Sequence, residues 1–576
     1  MDHAFGLTRP YQSITTSRPI HNAIAGWTTC LGVAALYALT CLIACPFGDF
    51  AVLDDWIFAS SVHSILDTGR FVLPDLAAPN LVVQAYWGAL FCLPFGFSLQ
   101  ALKASTLVAG AGGVVAMALL LRELGASWRL AGFGALTLAF NPFYFQLSPT
   151  FMTDVPFTAL ATASLWLYVR GANRDSNVGI GCAYGCALLA IMVRQFALIL
   201  PLAFGAAHIW RKGFRAGPIG VAILPCILML VLQLCYGHWF ATSATTRPGM
   251  WQVPLEKLLP TDPVVFLHRV KYYLMAVLPY IGLFAAPFVL GAAMHRQPEG
   301  RPRFFWTTSV VFGALLFMLL WKERSLLPVG AGAVEPGFAN LLLPFGLGPI
   351  TMLETTTWPI PSPWIPDWRL MSALGAWVTG TLLLLCCNAC MRMVHNIRIG
   401  GDRSNDWKFI LFFATSAAYV AGILAVGAAR MTFDRYLLFL TVPSCALALL
   451  ALPAGVERKT KSGWLPGALV LGAMSMFTMT ATHDFLSSIA ARSAATEWLA
   501  RSGVQDEKVD GGYEYNGPRF YDVANTSRSG NTLYAVPSDE YLLSFGRERG
   551  YEEIRRFPFA TWLWPTPHEI FVLHRP

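Results

Sequence analysis

Apolar runs about as long as a membrane is thick recur from one end of this chain to the other, and nothing else constrains its folding as tightly. A hydrocarbon core about 30 Å thick needs roughly 20 apolar residues per helical crossing. Such stretches run from residues 24–45 through to 464–481. Lipid offers no partners to backbone N–H and C=O groups, so each run must pair them internally, as a helix. Of the residues, 55% are hydrophobic and 13% charged, the latter about half the share of a soluble domain. The sequence predicts an all-α polytopic membrane protein.

The formal net charge of +8 does not imply nucleic acid. Arg and Lys cluster between the apolar segments, as cytoplasmic loops require, and no basic stripe is interleaved with aromatics. Most of the 12 cysteines, Cys30, Cys41, Cys182, Cys186, Cys226, Cys386 and Cys387 among them, lie in or beside apolar segments. The Cys-free tail after residue 482 is not a disulfide-stapled domain. Cys387 and Cys390 have CxxC spacing but end an apolar helix, which favours a packing role over metal or redox chemistry. Leu42-Ile43-Ala44-Cys45 has the look of a lipoprotein cleavage box. The run before it is long enough to span, unlike a signal h-region, so a retained first helix is expected.

Placing the basic loops inside gives one topology. Residues 1–23 start in the cytoplasm, and about thirteen crossings follow, at 24–45, 99–121, 130–146, 155–170, 178–193, 196–210, 218–236, 271–294, 304–320, 371–391, 409–429, 436–453 and 464–481. Two long segments fall outside: 46–98, where 81–97 reads as a juxtamembrane helix, and 321–370, rich in Pro and Trp. The tail, 482–576, also lies outside. Its Ser488–Arg501 stretch has helical spacing that stops at Gly503. Short β-like runs follow at Tyr541–Phe545 and Glu569–Leu573. A small α/β domain on the outer, periplasmic side is expected.

Candidate chemistry gathers on the outer face. Asp54 and Asp55 sit just beyond the first helix, ahead of Trp56, Phe58, Val62, Ile65 and Leu66 at helical spacing. A carboxylate there can take a proton from an attacking hydroxyl, or simply cap that helix. Adjacent residues point roughly 100° apart on a helix, so at most one aims into a cavity. Asp154, in Met152-Thr153-Asp154-Val155-Pro156, carries the same ambiguity, because Asp followed by Pro is how helices begin. Arg430, Asp434 and Arg435 form a third cluster, read as an interfacial anchor or as a phosphate grip. Arg194 stands alone in an apolar run, and Lys271, Arg269, Lys322 and Arg324 add outer positive charge that suits an anionic ligand. His238 and His268 lack partners at metal spacing. Gly110-Ala111-Gly112-Gly113 reads as a helix-packing surface, and Trp358, Trp364 and Trp368 as an interfacial belt.

Four segments carry a resemblance. Asp54-Asp55-Trp56-Ile57-Phe58-Ala59 with Leu66-Asp67-Thr68-Gly69, Thr153-Asp154-Val155-Pro156, and Asp434-Arg435-Tyr436 with Pro443 resemble, in that order, segments of the GT-C glycosyltransferases. The narrower likeness is to glycosyltransferase family 39, the bacterial protein-mannosyltransferase and aminoarabinose-transferase group. Asp510-Gly511-Gly512-Tyr513-Glu514-Tyr515-Asn516-Gly517 resembles a tail motif of bacterial members. The resemblance implies an inverting transferase that takes a sugar from a polyprenyl-phosphate donor at the outer face of the bacterial inner membrane. The acceptor would be a lipid, glycan or protein. By that analogy Asp54 deprotonates the acceptor, Asp154 orients the acceptor or a divalent cation, and Asp55 is a secondary acid. Arg435, with Arg430 and Lys271, binds the donor phosphate. No cofactor is required by the sequence. Two departures stand out: Ala78-Pro79-Asn80 occupies the place of a His-Pro-Pro or Lys-Pro-Pro segment, and Asp55 that of a Glu. The competing classes are a transporter or lipid-linked-sugar flippase and a non-catalytic envelope scaffold. Against the former, the acids lie at the rim rather than mid-membrane, and the halves show no repeat.

Overall fold

In the computed structural model the described residues are 17–46, 48–74, 76–243, 262–295, 302–330, 338–352, 367–399, 405–429, 432–452, 461–521, 536, 538–563 and 568–576. Helix α1 (Ser17–Ala44) leads into the segment that forms α2 (Asp55–Thr68) and α3 (Val82–Cys92). Then come α4 (Leu99–Glu123), α5 (Trp128–Ala139), α6 (Pro142–Leu147), α7 (Asp154–Asn173), α8 (Asn177–Val193) and α9 (Ile199–Lys212). The bundle is completed by α10 (Ala216–Ser243), α11 (Pro263–His295), α12 (Pro302–Lys322), α13 (Trp368–Ile399), α14 (Asp406–Ala429), α15 (Thr441–Ala451) and α16 (Leu465–Arg501). A 3₁₀ turn over Asp434–Leu440 precedes α15, and α17 (Tyr513–Phe520) lies in the tail.

Among the described residues, nine helices are long and apolar enough to cross a membrane. The expected crossings at 130–146, 155–170, 178–193 and 196–210 are helical too, but none is among those nine. The first of them is cut in two, because Asn141 caps a new helix with its side chain on the Phe143 and Tyr144 amides and Pro142 follows at its first turn. Residues 81–97 contain the short α3, as a juxtamembrane helix would.

Lipid supplies no hydrophobic drive between helices, so close backbone approach does the packing. At the α11–α13 crossing, a Cβ added to Gly282 would meet the Gly375 carbonyl oxygen. The 110–113 stripe packs as expected: a Cβ on Gly113 would stand 2.8 Å from that of Ala159 on α7. At one end of the bundle Arg170 and Arg174 face Glu123 (3.7 and 3.8 Å), while Arg211 and Lys212 pair with Asp175 (2.9 and 2.5 Å). These are the turns the charge pattern assigns to the cytoplasm.

The tail carries the expected strands. Between α12 and α13, β1 (Leu342–Leu343) and β2 (Gly346–Leu347) form a ribbon. Strands β3 (Val509–Asp510), β4 (Tyr541–Ser544), β5 (Glu552–Phe559) and β6 (His568–His574) make one sheet of order β3-β4-β6-β5, parallel only between β3 and β4. Val509, Leu543, Ile570 and Val572 pack on Ala491, Ala495 and Leu499 of α16. That helix runs unbroken through residue 482, so the membrane segment and the tail domain share one rigid rod.

Candidate active site

The start of α2 decides what its two acids do. The Asp54 carbonyl accepts the first amides of the helix, from Ile57 (3.0 Å) and Phe58 (3.1 Å), but its side chain makes no capping bond. The carboxylate turns away instead. Its Oδ2 meets Nη2 of Arg435 at 3.2 Å and its Oδ1 accepts from the Tyr513 hydroxyl at 2.6 Å. The side chain stays 24% exposed against 10% for Arg435, so the pair lies at an opening. Asp55 takes the opposite course. Fully buried, it accepts from the Phe151 amide (2.7 Å) and the Val52 amide (3.3 Å), which ties α2 to the loop ahead of α7. Burial raises its pKa, and the nearby Lys103 charge opposes the rise. Lys103 itself donates to the carbonyls of Gly48 (3.0 Å) and Phe50 (2.6 Å).

The loop that Asp55 holds carries the second acid. Asp154 Oδ1 pairs with Arg194 Nη1 at 2.8 Å, and Arg194 Nε donates to Thr153 Oγ1 at 2.7 Å. Neither Thr153 nor Asp154 spends its side chain on capping α7. Arg194 reaches in because α8 ends there in extended backbone, at φ −143° and ψ 130°. A buried guanidinium needs such pairing and hydrogen bonding to repay its desolvation. Asp154 Oδ2 is buried without a hydrogen-bond partner among the described residues, as is Arg435 Nε.

Arg435 comes from the 3₁₀ turn, and its neighbour fixes that turn. The buried Asp434 accepts from the amides of Leu341 (3.1 Å) and Leu342 (3.0 Å), which binds the turn to the ribbon β1–β2. Tyr436 then stands between the two arginines, its ring 4.9 Å from the Arg194 guanidinium carbon and 5.7 Å from that of Arg435. The result is two carboxylates, two guanidinium groups and a shared aromatic face at one end of the bundle. Beside it, a cleft of about 670 Å³ opens between α2 and the C-terminal part of α16 with α17, lined by Trp56, His63, Arg492, Thr496, Glu514 and Arg519 among others.

Asp54, Asp154 and Arg435 are therefore brought together, with Arg194 joining them. Lys271 is not part of this cluster of contacts: half-exposed, it pairs with Glu323 at 2.8 Å. Arg430, Trp358 and Trp364 lie outside the described residues. Trp368 donates to the Pro344 carbonyl at 2.8 Å. Among the described residues no three His, Cys, Asp or Glu side chains gather into a metal-binding group. One spare carboxylate oxygen between two guanidinium groups is a poor donor set for a cation. Tyr513, Glu514 and Arg492 carry no assigned role in the sequence reading. The tail motif marked the first two, whereas Arg492 looks like any surface residue of an amphipathic helix.

This fold and site define a class: a helical membrane protein with a paired acid–base cluster at one mouth of the bundle, roofed by a small sheet domain. No protein-family model matches the chain, and no curated protein matches it in sequence. Among solved structures it is similar to ArnT from Cupriavidus metallidurans in the apo state, at 13% identity and TM-score 0.39, over 86% of this chain and 84% of that one. It is likewise similar to ArnT from the same organism bound to undecaprenyl phosphate, at 13% identity and TM-score 0.39, over 95% and 98%. The oligosaccharyltransferase of Archaeoglobus fulgidus in the apo form follows at 12% identity and TM-score 0.27, over 77% and 59%. None of these TM-scores reaches 0.5.

Proposed function

We propose that the protein is an inverting glycosyltransferase of the GT-C type, moving a hexose or pentose from a polyprenyl phosphate to a hydroxyl- or amine-bearing acceptor at the outer face of a bacterial inner membrane. The observation that carries this reading is the Asp54 carboxylate, turned away from its helix and set against a guanidinium at a solvent-open mouth. A structural cap would have used that oxygen on the α2 amides. A base beside a phosphate-binding arginine is what displacement at a sugar carbon requires.

In the proposed reaction the acceptor oxygen or nitrogen forms a bond to the anomeric carbon as the bond from that carbon to the phosphate oxygen breaks. Attack comes from the face opposite the phosphate, so configuration inverts. The acceptor proton passes to Asp54 Oδ2, and the negative charge gathering on the departing polyprenyl phosphate meets Arg435. The two are 3.2 Å apart, too close to hold a sugar between them, so the donor phosphate must draw Arg435 away and free Oδ2. Arg435 Nε, buried and without a hydrogen-bond partner among the described residues, supplies a second donor for a bidentate grip. Asp154 holds Arg194 in place, and its spare Oδ2 accepts a hydroxyl of the sugar or acceptor. The neighbouring cleft, with its mixed aromatic and charged lining, suits the acceptor's polar head. The orientation, with residues 1–23 inside and 482–576 outside, follows from the basic loops.

The test is turnover. Purified protein in detergent is given a panel of radiolabelled polyprenyl-phosphate hexoses and pentoses with lipid, glycan and peptide acceptors. Release of polyprenyl phosphate with an inverted product supports the transferase. A labelled donor that crosses liposomes uncleaved, with no bond broken across the panel, supports a flippase instead.

A further inference from the structure

The tail domain does more than roof the site, because the hydroxyl bound to Asp54 comes from it. We infer that Tyr513 is a positioning residue for Asp54, so that the C-terminal domain completes the catalytic site of the transferase proposed above, the reading on which this inference rests.

Three sets of contacts fix Tyr513. Its own loop is knotted internally: Asp510 Oδ1 accepts from the Gly512 amide (3.2 Å) and from Asn516 Nδ2 (2.7 Å), while Asn516 Oδ1 accepts from the Gly511 amide (3.1 Å). The loop is then pinned to the outer segment ahead of α13. The Tyr513 amide donates to the Thr351 carbonyl at 2.7 Å, and Gly512 turns there at φ +85°, where a Cβ would stand 2.6 Å from that same oxygen. Only glycine accepts both the left-handed backbone and the close approach. Finally Glu514, buried, joins the loop to the turn that opens α2. Its Oε1 accepts from the Leu53 amide at 3.1 Å, one residue before Asp54, and Arg492 from α16 pairs with its Oε2 at 2.8 Å. The Tyr513 ring meets Trp56, two residues beyond Asp54, edge-on at 5.8 Å between centroids.

The tail thus grips the residues on both sides of Asp54 and places one hydroxyl on its carboxylate. The division of labour follows from the two oxygens. Arg435 holds Oδ2 only until a donor phosphate claims it. Tyr513 holds Oδ1 from the tail domain, a contact separate from the one the donor phosphate claims. With Oδ1 fixed, the carboxylate cannot rotate when Arg435 leaves, and Oδ2 stays aimed at the acceptor. Base catalysis depends on such aim, because hydrogen-bond reach comes before basicity, and small misplacements of a catalytic group are costly.

Tyr513→Phe keeps the ring against Trp56 and removes only the hydroxyl. The expected result is a fall in kcat of about 10- to 100-fold, the usual weight of a hydrogen bond to a charged group, with the donor KM within about twofold of wild type. Added to Asp54→Asn, the same change should cost nothing further. A Phe variant as active as wild type, or a loss that adds to that of Asp54→Asn, overturns the assignment. So does an active Phe variant beside an inactive Tyr513→Ala, which would mean the ring only packs. If wild type turns over no donor, the transferase reading fails, and the contact is read separately by thermal unfolding. Shifts for Asp54→Ala and Tyr513→Phe that combine non-additively keep the two residues as one unit, whereas additive shifts overturn the inference.

Discussion

Replacing Arg194 with methionine should destabilise the protein far more than replacing Arg194 and Asp154 together. The pair's side chains are 8% and 2% exposed, with 2.8 Å between Nη1 and Oδ1. Without the guanidinium, Asp154 keeps a buried charge whose other oxygen has no hydrogen-bond partner among the described residues. Breaking one member of a buried pair costs about 3–5 kcal/mol, whereas exchanging both for uncharged groups of similar volume is often neutral. Two local features shift that range. Thr153 loses the donor on its hydroxyl oxygen, adding about 1 kcal/mol. Arg435 lies close enough for its charge to interact with that of Asp154, and this offsets part of the loss. We expect about 3–4 kcal/mol for Arg194→Met, about 1 kcal/mol or less for Asp154→Asn with Arg194→Met, and hence a difference of about 2–3 kcal/mol between the two variants. Denaturant unfolding in detergent, followed by tryptophan fluorescence, measures all three. A double variant as unstable as Arg194→Met would refute the buried pair as the organising contact of this site.

Three other perturbations probe the remaining joints. Arg435→Gln should lower kcat/KM for the donor about 100-fold while leaving expression and unfolding temperature near wild type; equal loss across charged and uncharged inhibitors would argue against a phosphate contact. Gly512→Ala must place a Cβ at φ +85° against the Thr351 carbonyl, a strain of roughly 1–2 kcal/mol. It should loosen the tail to limited proteolysis and match or exceed the rate loss of Tyr513→Phe. Asp55→Asn removes one acceptor from two buried amides, a cost of about 1–3 kcal/mol, and that cost should depend on pH. Burial raises the folded pKa of Asp55 above its unfolded value of about 3.9. The acid's contribution is therefore fully present below about pH 4 and is lost as pH rises through the folded value. Unfolding measured across that window should show Asp55→Asn costing most at the acid end, with the gap closing towards neutral pH.

The helical membrane architecture was legible because lipid leaves a chain few choices: apolar length marks the crossings, and nine described helices are long and apolar enough to make one. The strands at Tyr541–Ser544 and His568–His574 were legible from alternation and turn residues. The division of roles between neighbours was not. Asp54 and Asp55 are alike in sequence, yet one faces the opening and the other is locked onto Phe151 and Val52, because the α7 loop packs on one side of α2 only. Asp434 and Arg435 divide in the same way, one bound to the β1–β2 ribbon and the other to Asp54. Arg194 drew notice as an isolated charge in an apolar run, and its partner is 40 residues distant. Arg492 gave no such signal. Its burial follows from α16 continuing straight through residue 482, which brings the helix's outer turns beneath the tail motif. Such contacts join residues that are not neighbours on one helix or strand, and they leave no local periodicity to read.

The most direct test of the central claim compares wild type with Asp54→Asn in single turnover, using a radiolabelled polyprenyl-phosphate sugar that the wild type accepts. The amide keeps the shape and a hydrogen bond to Tyr513 but cannot take a proton. Donor binding should survive within about threefold, while transfer falls by about 10²–10⁴-fold, the span of general-base catalysis. Transfer by Asp54→Asn at the wild-type rate, with binding intact, would contradict the account.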